Sequence, residues 1–141
     1  MIIDKYLYFR AQTDQDSDDG VDDSVYVPTR SIRGITPTSA TALTIYFDSL
    51  YNTYNGAEST ALTNDSVVLT VTAGKMKQAM AAIAASMTSN KLYQDGSITI
   101  ADDVTTTYLT DSAGADETVS ALYIDSAITA CASISVTAAL S

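Results

Sequence analysis

Three aspartates at alternate positions, Asp14, Asp16 and Asp18, carry the sharpest chemical signal in the chain. In a calcium loop, the side chains at positions 1, 3 and 5 converge on the ion, and this spacing supplies them. The rest of the stretch departs from that pattern. Gly20 falls at position 7 where the turn needs glycine at 6, and Val25 stands where the motif has its bidentate glutamate. Residues 13–23 hold six aspartates in eleven positions, and such carboxylates repel one another and cannot be buried unpaired. The stretch is a solvated acidic loop, a surface that meets a basic partner, or a loop closed on calcium.

The other carboxylates are less pointed. Asp102, Asp103, Asp111, Asp116 and Glu117 could supply an acid/base pair of the kind that cleaves glycosides. Nothing in their spacing sets two of them across a sugar-sized cleft, and the chain has no Trp to stack on a sugar. Strand ends and loops in water account for them. The chain also has no His, which removes the usual general base and the commonest metal ligand. Ser-His-Asp and Cys-His arrangements are thereby excluded. One cysteine, Cys131, is too few for a standard zinc site. Glycines stand singly, so no phosphate-cradling loop is present. Residues 71–75, Val-Thr-Ala-Gly-Lys, lead into a helix and suggest an anion site at its N-terminus only faintly. A non-enzymatic role is expected, with no cofactor unless calcium binds at the acidic loop.

Composition narrows the partners. Length, at 141 residues, is that of one domain, and a single domain with an acidic surface loop near 13–23 is expected. Charged residues are 17% of the chain and the formal net charge is −10. Binding a phosphate backbone requires clustered cations, so direct contact with nucleic acid is not expected, nor is attraction to an anionic membrane. Acidity keeps copies apart until a specific contact forms. Polarity comes instead from 20 Thr and 16 Ser, and Thr favours strands because its branched Cβ packs on a pleated surface. The N-terminus lacks the basic start and apolar run of a signal peptide, and no apolar stretch approaches the ~20 residues that span a bilayer. A single Cys forbids an intrachain disulfide, consistent with assembly in a reducing cytoplasm.

The elements that position these residues centre on 67–103. Residues 67–72 and 97–101 read as strands, and 74–89 between them as the principal helix. Met76, Met80, Ile83 and Met87, with Ala79 and Ala84, form one apolar stripe, and Lys75, Lys77, Gln78 and Ser86 fall largely off it. Thr72 is the expected N-cap and Asn90 the expected terminator. So short a helix must pack to be stable, and the adjoining strands are its natural floor. Residues 2–10 read as a strand with apolar side chains on both faces, either central in its own sheet or covered by a neighbouring subunit. Residues 24–27 form a short strand stopping at Pro28, and Pro37 interrupts again, which suggests an edge strand or an extended arm. Leu43, Ile45 and Phe47 alternate with Thr44 and Tyr46 in a half-buried strand. Residues 104–110 and 119–124 are further candidate strands. In 127–138, Ile128, Ala130, Ala132, Ile134 and Val136 share one face, with Cys131 on the other. The whole is an α+β fold, a mostly antiparallel and possibly mixed sheet with one principal helix packed on it.

Nine tyrosines remain. Tyr6, Tyr8, Tyr26, Tyr46, Tyr51 and Tyr54 precede the helix. Tyrosine suits interfaces because it joins an apolar body to a polar tip. Either these six mark an assembly surface, or Tyr replaces the absent Trp and scarce Phe in an ordinary sheet.

Three segments carry a resemblance. They are Leu-Thr-Val-Thr-Ala-Gly-Lys at 69–75, Ala-Met-Ala-Ala-Ile-Ala at 79–84 and Asp-Gly-Ser-Ile-Thr-Ile-Ala-Asp-Asp at 95–103. Together they resemble a pattern in small virion structural proteins of marine tailed phages, and the Thr/Ser/Ala-rich, low-charge composition is similar too. The resemblance is partial and structural. It implies a multicopy capsid-associated protein, most simply a capsid decoration or surface protein. Such a protein is a homo-oligomer that contacts other virion proteins and is assembled in the host cytoplasm. It transfers no functional residue, and the acidic loop and the two prolines lie outside it. The alternative, in a different class, is a calcium-binding adhesion or ligand-recognition module with Asp14, Asp16 and Asp18 as ligands.

Overall fold

The computed structural model describes residues 5–13, 20, 22–48, 65–88, 97–107, 117–118 and 120–136. Within these the fold is α+β, with two mostly antiparallel sheets and one α-helix. The first sheet runs β2 (Ser24–Pro28), β1 (Tyr6–Arg10), β6 (Ser97–Asp102), β9 (Leu122–Tyr123). It is mixed, because β1 pairs antiparallel with β2 but parallel with β6. The second sheet runs β10 (Ile128–Ser135), β5 (Asp65–Val71), β4 (Ala42–Phe47), β3 (Ile32–Pro37) and is antiparallel throughout. A two-stranded ribbon joins β7 (Thr106–Thr107) to β8 (Glu117–Thr118).

Alternation builds the core. Leu7 and Phe9 of β1, Val25 and Val27 of β2, and Ile98 and Ile100 of β6 point inward from the mixed sheet. Leu43, Ile45, Phe47, Val67, Leu69 and Val71 do the same from the antiparallel sheet. Both sets belong to one contiguous buried cluster. Each large side chain so buried contributes roughly 1.5–3 kcal/mol.

The helix, α1 (Met76–Thr88), joins β5 to β6. The expected strand–helix–strand order is present, but its two strands lie in different sheets. The helix is therefore the passage between sheets rather than a crossover on one floor. Ala79, Ile83 and Ser86 are its buried residues, with Met76, Met80 and Met87 partly buried. Ser86 thus belongs to the packed face and Ala84 does not. The Ser86 hydroxyl is accommodated because it donates to the Ile83 carbonyl at 2.6 Å. Thr72 is not the cap. Its carbonyl accepts the Lys75 amide at 3.0 Å, closing a turn whose third residue, Gly74, has φ +83° as a type II turn requires. The first helical bond then runs from the Ala79 amide to the Lys75 carbonyl. Asn90, the expected terminator, lies outside the described residues.

β10 departs from strict alternation. Its register against β5 shifts between Ile128 and Ala130 and again between Cys131 and Ser133. Each irregularity advances the pattern by one residue, so the buried positions are Ile128, Cys131 and Ile134. Cys131 turns inward where simple alternation puts it outward, and Ala132 is exposed.

Both prolines sit on edge strands, β2 and β3. The chain passes from one edge to the other through a 3-10 turn at Thr29–Ser31. On the opposite side, residues 124–127 carry the chain from β9 to β10.

Candidate functional site

The outer face of the mixed sheet collects what the sequence analysis singled out in β1 and β2. Alternation that turns Leu7, Phe9, Val25 and Val27 inward turns Tyr6, Tyr8 and Tyr26 outward. Tyr8 stands opposite Tyr26 in the ladder. Their rings lie 4.8 Å apart between centroids at a 45° tilt, an aromatic pair of ordinary favourable geometry. The Tyr26 hydroxyl shares a hydrogen bond of 3.0 Å with Ser97 Oγ on β6, across the top of β1. Three strands are tied on one face, which fixes Tyr8 beneath Tyr26.

Leu122 completes the face. It is paired with Asp102, which is paired in turn with Arg10, so it projects outward with the tyrosines. Tyr6 is 41% exposed, Tyr26 52% and Leu122 58%, and these are the exposed large hydrophobic residues among those described. All three leave from one face of one sheet. Arg10 shares the face by register but is buried. Its Nε donates to the Gln12 carbonyl at 3.1 Å and lies 3.9 Å from Asp102 Oδ1, so the pair presents little net charge.

Of the other candidate interface tyrosines, Tyr46 is half-buried on the outer face of the antiparallel sheet, beside Gly34 and Ser66 in register. It is not part of the same surface. Tyr51 and Tyr54 lie outside the described residues. So do Asp14, Asp16 and Asp18, the candidate calcium ligands. The described end of the acidic stretch is a turn. Asp23 accepts the Gly20 amide at 2.7 Å through Oδ2 and the Gln12 side-chain amide at 2.8 Å through Oδ1. No group of three His, Cys, Asp or Glu able to hold a metal occurs among the described residues. No helix among them is long and apolar enough to cross a membrane.

A second, half-buried cluster was not legible as such. Asp103 follows β6, and its Oδ1 accepts the Tyr123 hydroxyl at 2.6 Å. The same carboxylate accepts the Cys131 amide at 3.0 Å and 3.2 Å. One side chain therefore joins two strands of the mixed sheet to β10 of the other sheet. Reading Asp102 and Asp103 as a strand end found the position but not the tie, which depends on the bulge that turns Cys131 inward.

The cluster is chemically quiet. Burial, and then the neighbouring Asp103 carboxylate, push the Cys131 thiol up to about 12. Burial and the bond to Asp103 likewise raise the Tyr123 phenol. Neither group is an activated nucleophile or base at neutral pH.

The shift has a measurable consequence. The thiol's ordinary value of 9.0 is pushed up to about 12 in the folded chain. Above the lower value the unfolded state binds fewer protons than the native state, so stability falls as pH rises. The contribution is complete below pH 9.0 and lost as pH climbs through about 12. Melting temperatures across that window are expected to fall, and to fall less steeply in Cys131→Ala.

Comparison of the chain with protein-family models, with curated proteins and with solved structures finds no match.

Proposed function

We propose that this chain is a non-enzymatic structural protein of a virus particle, a decoration or surface protein present in many copies. The observation that carries the reading is the concentration of exposed Tyr6, Tyr26 and Leu122 on one face of one sheet. Apolar side chains exposed singly need no explanation, but three that leave the same face of one sheet suit a contact surface. Tyrosine gives such a surface large contact area at small entropic cost, with a hydroxyl left to bond at the rim. The absence of His from the chain and the upward displacement of the one thiol favour a protein that works by contact over one that works by reaction. The particle is what the partial resemblance of residues 69–75, 79–84 and 95–103 to virion structural proteins implies.

Quantitative mass spectrometry of virus particles purified from the chain's source provides the test. Peptides of the chain are expected at many copies per particle, at constant ratio to the major shell protein through successive density gradients. Absence from purified particles, with presence in infected-cell lysate, overturns the reading.

A further inference from the structure

We draw no further inference here: the strongest candidate, the outer edge of β2 where the ladder turns the Ser24 and Tyr26 amides away from β1, carries none, because nothing in the structure shows what covers it.

Discussion

Asp103→Ala is expected to lower the unfolding free energy by about 1–3 kcal/mol, because the amide of buried Cys131 loses its acceptor, while the half-buried Tyr123 hydroxyl can turn to water. The Tyr123 hydroxyl and the Cys131 amide both end on this carboxylate. Cys131 stays paired with Leu69 on β5, but Leu69 turns its backbone groups to β4, so the Cys131 amide faces away from that ladder. Asp103→Asn keeps one oxygen that can accept from both groups, so its cost is expected to be about 1 kcal/mol, the scale of one weakened hydrogen bond. Urea denaturation of the three proteins checks both values. An equal loss in the two variants would show that charge, not acceptance, is what the position supplies.

The second large effect belongs to Phe9. Phe9→Ala removes a fully buried ring from the central strand of the mixed sheet and is expected to cost about 3–5 kcal/mol, the range for aromatic truncation in a core. That is a large fraction of the stability of a small domain. Tyr8, the preceding residue, points the other way and is only half-buried. Tyr8→Ala is expected to cost about 1 kcal/mol or less through lost aromatic pairing with Tyr26. Neighbouring positions on one strand thereby separate the core from the outer face. Denaturation midpoints should drop for Phe9→Ala and barely move for Tyr8→Ala.

These contrasts also mark what local pattern can and cannot say. Strand positions with clean alternation, such as Leu43, Ile45 and Phe47, were legible because one buried face imposes a period of two. The helix was legible from its Met and Ile spacing, and the prolines from their missing donors. Ser86 was misplaced because its hydroxyl finds a partner within the helix, which no hydropathy pattern encodes. Cys131 was misplaced because two bulges in β10 replace alternation with a step of three, and bulges are set by the partner strand. The division into two sheets was hidden for a similar reason. Residues 67–72, 74–89 and 97–101 read identically whether the second strand returns beside the first or joins another sheet. Leu122, exposed on the candidate contact face, drew no notice in a stretch that gave only a two-residue strand. The tyrosines of β1 and β2 were singled out by type, but their meeting on one face needed the register.

The parallel pairing of β1 with β6 sets the order in which the molecule can form. Tyr6 lies against Ser97, so the centre of the mixed sheet closes only after the whole intervening chain has been made. Closing so long a loop carries an entropic cost that local hairpins avoid. β3, β4 and β5, by contrast, are successive antiparallel neighbours and can zip together as they emerge from the ribosome. Until α1 and β6 arrive, the β1–β2 hairpin holds Leu7, Phe9, Val25 and Val27 without their cover, while β3, β4 and β5 can already pair and β10, the fourth strand of their sheet, is still to come. Both sheets are therefore completed from the C-terminal part of the chain, one by β6 and β9 and the other by β10.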